Sequence, residues 1–164
     1  MGDVTFAAIY EQYAQDVYRF ALYLSGNPSL AEDLAAETFS RAWVAWDRIR
    51  VGTVKAYLLM ITRNLYRDLL RQRPEVPLDD TWSPADIAPD PESVAVARSE
   101  LDAVLVALRS LPEGERSVLL MATVGNVPYD AIAVAFGISP AAVKVRVHRA
   151  RVKLNAARFT KEQS

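Results

Sequence analysis

Three arginines, Arg63, Arg67 and Arg71, recur every fourth residue in a stretch whose apolar residues keep a helical period. At 100° per residue they form one row with Asn64 at its margin, roughly opposite a stripe of Leu58, Ile61, Leu65 and Leu69. Like charges at this spacing weaken an isolated helix by a few tenths of a kcal/mol. The row therefore reads either as a plain solvated face or as a surface whose charges are neutralised by phosphates. A second cationic group lies near the C-terminus, in SPAAVKVRVHRARVKLNAAR from Ser139 to Arg158. There Val143, Val147, Ala150 and Leu154 share a narrow stripe, and Lys144, Arg146, His148, Arg149, Arg151 and Lys153 cover the rest of the circumference. A basic helix at the edge of a bundle would look similar, but no acidic residue occurs between Asp130 and Glu162. An ordinary solvated helix mixes signs to gain pairs one turn apart, so this segregation points to a polyanion. Asp33 and Glu37 form a third group, one turn apart on one helical face. From residue type alone they read as carboxylates favoured by the dipole at the N-terminal half of a helix.

Composition limits the chemistry further. The chain has 164 residues, 51% of them hydrophobic, which suits one folded domain or two small ones. It contains no cysteine and one histidine, so disulfides and thiolate metal sites are excluded and a zinc site is improbable. No phosphate-binding glycine loop or paired His/carboxylate motif occurs either. We therefore expect no catalytic residue, metal or cofactor, and a protein that is not an enzyme. The N-terminus lacks a basic segment followed by an apolar run, and no uninterrupted apolar stretch approaches the roughly 20 residues a bilayer needs. A cytoplasmic protein without membrane insertion is expected. With a net charge of −1 and a pI near 5.9, nucleic-acid binding must come from local patches.

The elements that must position these groups read as helices throughout. A first helix spans Val4 to Ser25 and closes at Gly26. Ser29 and Glu32 form a capping box for a second, running to about Arg50 with Leu30, Leu34, Phe39, Trp43 and Trp46 among its apolar members. Thr53 caps a third, which ends near Arg73 before Pro74. Residues 74–91 hold five prolines and the acidic Glu75, Asp79, Asp80, Asp86 and Asp90, and read as an extended linker in which Leu78, Trp82 and Ile87 are candidates for docking. A fourth helix opens at Asp90-Pro91-Glu92 and reaches Ser110, with Val94, Ala97, Leu101, Val104, Leu105 and Leu108 inward. A fifth starts at Leu111-Pro112 and stops at Gly125. Tyr129 to Phe136, Gly137, and a basic helix capped by Ser139-Pro140 make a helix-turn-helix, whose second helix enters a DNA major groove. The expected fold is all-α, with domains at 1–73 and 92–164 joined by the acidic linker 74–91.

Three stretches together resemble a known family: AEDLAAETFSRAW (Ala31 to Trp43), AYLLMITRNLYRDLLR (Ala56 to Arg71), and LPEGERSVLLMATVGNVPYDAIAVAFGISPAAVKVRVHRARVKL (Leu111 to Leu154). They are similar to regions two and four of bacterial sigma-70-type factors, in the short extracytoplasmic-function (ECF) group that has only those two domains. The resemblance implies a protein that binds core RNA polymerase, recognises two promoter elements and nucleates strand separation. It implies that Asp33 and Glu37, with Phe39 and Arg41, dock on the coiled coil of the β′ clamp, and that the second domain meets the β flap. A frequent glutamine of the docking motif is Ala36 here.

The third helix corresponds to the reader of the minus-ten element, met as a melted non-template strand with an extruded base. Arg63, Asn64, Arg67, Asp68 and Arg71 are the matching candidates, and Tyr57 stands near the place of a usual tryptophan. The last helix corresponds to the reader of the double-stranded minus-thirty-five element, through Ser139, Lys144, Val145, Arg146, His148 and Arg149. The family pattern Gly-Thr-Val-Arg-Ser-Arg appears as Ala141-Ala142-Val143-Lys144-Val145-Arg146, so Val145 offers a methyl contact to thymine where the family has a hydroxyl. His148 reads equally as a contact residue or as filler. An anti-sigma protein is an implied partner. The linker's carboxylates are placed to lie across the chain's own arginine rows when polymerase is absent. The competing reading is a stand-alone helix-turn-helix regulator, which leaves Asp33, Glu37 and the Arg63 row without a task.

Overall fold

The computed structural model describes the backbone of residues 5–49, 54–72 and 91–162, and the side chains of all of these except 91–98 and 157–162. The regular elements among the described residues are helices α1 (Phe6–Ser25), α2 (Pro28–Val44), α3 (Val54–Gln72), α4 (Pro91–Arg109), α5 (Glu113–Thr123), α6 (Tyr129–Phe136) and α7 (Pro140–Glu162), with a short 3-10 turn at Trp46–Arg48. Helices α1 to α3 pack on one another as a first lobe, and α4 to α7 as a second. The acidic linker, with Leu78, Trp82 and Ile87, and the expected cap at Thr53 lie outside the described residues.

Local chemistry explains where the first-lobe helices begin and end. The Thr5 hydroxyl accepts from Ala8 N–H at 3.2 Å and starts α1. Asn27 Oδ1 accepts from Leu30 N–H at 3.0 Å and caps α2. This corrects the expected capping box at Ser29 and Glu32. Pro28 has no N–H to lose and takes the first helical position, which moves the cap back to Asn27. Helix α2 also stops at Val44, short of Arg50. The chain turns there so that Trp46 meets the Phe6 ring edge-on at 5.6 Å, and Ile49 is buried.

Helix α3 departs from expectation in a way that matters for the site. Its buried residues are Val54, Ala56, Leu58, Leu59, Thr62, Arg63 and Tyr66. Ile61, Leu65 and Leu69, placed on the core stripe by periodicity, are only half-buried. The reason is that α3 has neighbours on two sides, α1 and α2 of its own lobe and α5 and α6 of the other. Within the first lobe, the Thr38 and Thr62 hydroxyls lie 2.8 Å apart, each also within reach of the carbonyl one turn back in its own helix, so that one hydroxyl donates to its carbonyl while accepting from the other. That pairing satisfies two buried polar groups at the α2–α3 contact.

In the second lobe, Leu105 and Leu108 of α4 are buried as expected, whereas Val104 is 47% exposed. Helix α4 meets α1 and α7 along the Leu105/Leu108 line, and Val104 lies 100° away from Leu105. Val94 and Ala97 lie outside the described side chains. Val143, Val147 and Ala150 of α7 are fully buried and Leu154 half-buried, as periodicity requires. Buried residues of both lobes form one continuous apolar cluster. They leave no room for a side chain at Gly125, where an added Cβ would stand 2.7 Å from Leu59 Cδ1 of the first lobe and 2.8 Å from Met121 O. Among the described residues no single helix is long and apolar enough to cross a membrane.

Candidate nucleic-acid and polymerase interface

The helix-turn-helix is built by its three-residue turn. Gly137, at φ +66°, lets α6 end in a left-handed residue, and Ile138 N–H reaches back to Ala133 O at 3.0 Å. Ser139 Oγ then accepts from Ala142 N–H at 3.1 Å and starts α7. Its hydroxyl is thus engaged as the cap of the helix it was also expected to serve as a DNA contact. The chain bends by 102° between the two helices, within the range the motif uses. With Val143, Val147 and Ala150 turned inward, Lys144, Val145, His148 and Arg149 are exposed on the outer side of α7, and Arg146 is half-buried. Val145, 46% exposed, offers an apolar contact amid cations. Lys153 is drawn away to Glu115 of α5 at 2.8 Å.

The expected row on α3 is divided between two directions. Tyr57, Asn64, Asp68 and Arg71 are exposed and share one stripe, with Arg71 3.7 Å from Asp68. Arg63 and Arg67 point elsewhere. The Arg63 guanidinium makes a fork to Glu113 of α5, Nε to Oε1 at 2.7 Å and Nη2 to Oε2 at 3.1 Å, and its Cζ lies 4.3 Å over the Phe136 ring of α6. Arg67 Nε stands 3.7 Å from the same carboxylate. This corrects the expectation that the whole row faces water or an external partner. Arg63 is only 8% exposed, because the second lobe covers its side of α3.

Periodicity drew attention to neither Glu113 nor Arg116, two charged second-lobe residues at this boundary. Arg116 is buried, donating to Leu24 O at 2.6 Å, Tyr66 Oη at 3.4 Å and Leu111 O at 3.2 Å. The one available signal was charge at the head of an otherwise apolar helix, Glu113-Gly114-Glu115-Arg116 before Ser117-Val118-Leu119-Leu120-Met121.

On α2, Asp33 and Glu37 are exposed, and Arg41 Nε pairs with Glu37 at 3.2 Å. Phe39, grouped with them as a docking residue, is 5% exposed. It belongs to the core because Tyr10 and Phe6 stand edge-on to its ring at 4.8 and 6.4 Å. The exposed ring nearby is Trp43, which is 60% accessible and edge-on to Phe6 at 5.0 Å. Phe39 therefore positions the α2 surface from beneath. Among the described residues no cluster of three or more His, Cys, Asp or Glu could hold a metal.

An all-helical, two-lobed chain with an exposed basic recognition helix in one lobe and arginines on a helix of the other is a DNA-binding protein of the helix-turn-helix class. Sigma-70 region 2 matches residues 9–74, and Sigma-70 region 4 matches residues 101–154. The chain is 36% identical over 149 residues to the ECF RNA polymerase sigma factor SigE of Mycolicibacterium smegmatis, covering 87% of this chain and 57% of that one. It is 32% identical over 155 residues to the ECF RNA polymerase sigma factor SigM of Bacillus subtilis, covering 93% and 94%. In fold it matches the sigma factor RpoE of Bartonella quintana, solved with the anti-sigma factor NepR, at a TM-score of 0.75 and 24% identity over 93% of this chain and 95% of that one. The chain belongs to the sigma-70 family and, within it, to the ECF sigma factors. It directs RNA polymerase to promoters, and the region 2 match sets aside the stand-alone regulator.

Proposed function

We propose that the chain, acting in the cytoplasm and catalysing nothing itself, divides promoter recognition between its lobes as follows. Residues 1–73 hold the polymerase and minus-ten surfaces, residues 92–164 the minus-thirty-five surface, and 74–91 the connection between them. Asp33 and Glu37 dock on the β′ clamp coiled coil, with Arg41 and the exposed Trp43 flanking them and Phe39 supporting from the core. The second lobe meets the β flap. Tyr57, Asn64, Asp68 and Arg71 take the melted non-template strand, joined by Arg63 and Arg67 once these leave Glu113. Lys144, Val145, Arg146, His148 and Arg149 read the minus-thirty-five duplex, and Ser139 fixes the start of their helix. An anti-sigma factor belongs to this reading through family membership.

The observation that carries the proposal is the exposed outer side of α7, cationic and apolar by turns, on a helix anchored by Val143, Val147 and Ala150. Run-off transcription with core polymerase tests it. The factor should support a promoter-specific transcript that is lost when Arg71 or Arg149 becomes alanine. A transcript indifferent to both substitutions would overturn the assignment.

A further inference from the structure

We propose that Glu113 is an intramolecular latch that stands in for a DNA phosphate, holding Arg63 and Arg67 against the second lobe so that the free chain cannot use them on a melted strand. The inference rests on the sigma-factor reading and adds a regulation of its minus-ten surface.

Three observations carry it. The carboxylate takes Arg63 in a two-point fork at 2.7 and 3.1 Å, the geometry by which a guanidinium grips a phosphate, and Arg67 approaches it at 3.7 Å. Ser117 Oγ donates to Glu113 Oε1 at 2.6 Å and fixes the carboxylate in the first turn of α5, where the helix dipole favours negative charge. Phe136, on the first helix of the helix-turn-helix, closes over the Arg63 guanidinium at 4.3 Å. The same closure leaves Lys144, Val145, His148 and Arg149 exposed. One lobe therefore stays open to duplex DNA while the other has Arg63 shut away and Arg67, its side chain 42% exposed, drawn toward the same carboxylate. Polymerase, by drawing the lobes apart, would free Arg63 and Arg67, and linkage requires that a strand bound to them resists closure by the same factor.

The test uses the full chain, which has no native cysteine. Val44→Cys on α2 and Val134→Cys on α6 replace residues 80% and 84% exposed, one in each lobe, and carry a nitroxide pair for distance measurement by pulsed electron resonance. With Glu113 intact the pair should report one narrow distance. Glu113→Gln and Glu113→Lys should broaden and lengthen it, and should raise affinity for a single-stranded oligo(dT) probe about tenfold. Far-UV circular dichroism shows that each variant keeps its helices, and charge reversal acts even where glutamine preserves a hydrogen bond. Unchanged distances and probe affinity in both variants would overturn the latch. Run-off transcription keeps the two readings apart. A transcript from the parent with no opening in either variant removes the latch and leaves the sigma-factor assignment. Opening with tighter probe binding, but no transcript from any form, supports the latch and removes the promoter role given to these arginines.

Discussion

Arg116 donates from Nη1 to the carbonyl oxygen of Leu24 at 2.6 Å, across the boundary between the lobes. Leu24 lies in the last turn of α1, where carbonyls lack helical partners and a nearby cation is favoured. A second-lobe residue thus completes the end of a first-lobe helix, while Glu113, three residues earlier at the start of α5, takes the first-lobe cation Arg63.

Replacing Arg116 by methionine should therefore destabilise the protein. The aliphatic volume is largely kept, but the carbonyls of Leu24 and Leu111 lose a charged donor. We expect a loss of about 2–3 kcal/mol, read from the midpoint of urea unfolding at constant slope. A midpoint within error of the parent would mean that water replaces the guanidinium at no cost.

Reversing charge at the α2 surface should separate polymerase binding from DNA choice. Asp33→Lys and Glu37→Lys alter exposed side chains, and Glu37 also loses its pair with Arg41, so stability should change by less than about 1 kcal/mol. Affinity for core polymerase, measured by competition with a labelled sigma factor, should fall, with the order of promoter preference retained. Undiminished binding by both variants would remove these carboxylates from the docking surface.

At the recognition helix, Arg149→Ala should weaken minus-thirty-five binding by about 1–3 kcal/mol if the side chain reaches a base edge, and by different amounts on different sequences. A uniform loss with a shallower salt dependence would assign Arg149 to phosphate. Fluorescence anisotropy on a panel of duplexes at two salt concentrations reads both quantities.

The turn of the motif offers a backbone test. An added Cβ at Gly137 meets nothing within 4 Å, yet its φ of +66° penalises any L side chain. Gly137→Ala should cost about 1 kcal/mol in thermal or urea unfolding. Duplex affinity should be unaltered well below the melting temperature, because α7 keeps its Ser139 cap and its buried stripe.

Much of this was legible in the sequence. The helix-turn-helix was readable because its signals are local: Gly137 for a positive φ, Ser139-Pro140 for a start, and a strict apolar period at Val143, Val147 and Ala150. The exposed side of α7, with Lys144, Val145, His148 and Arg149, followed from the same arithmetic. Helix α3 was misread for the complementary reason. Periodicity assigns one buried face to an amphipathic helix, but α3 has two, and the second is set by α5 and α6, distant in sequence. Arg63 was thus placed on a face open to water or a partner, although it is buried against Glu113. Phe39 was placed on the surface by its neighbours in the motif, whereas its ring joins Phe6 and Tyr10. No local pattern announces a partner fifty residues away, which is why the resemblance to sigma-70 factors located the functional helices without revealing how the lobes close.

Among the described residues, Arg116 Nε is a buried N–H without a protein partner. A cation shut away with one donor idle forfeits hydration that the contacts around it only partly replace. Parting the two halves would return water to that nitrogen, making the seam shallower than its apolar area alone implies. A joint with such a built-in imperfection lends itself to repeated opening by a larger assembly, where a perfectly matched one would resist.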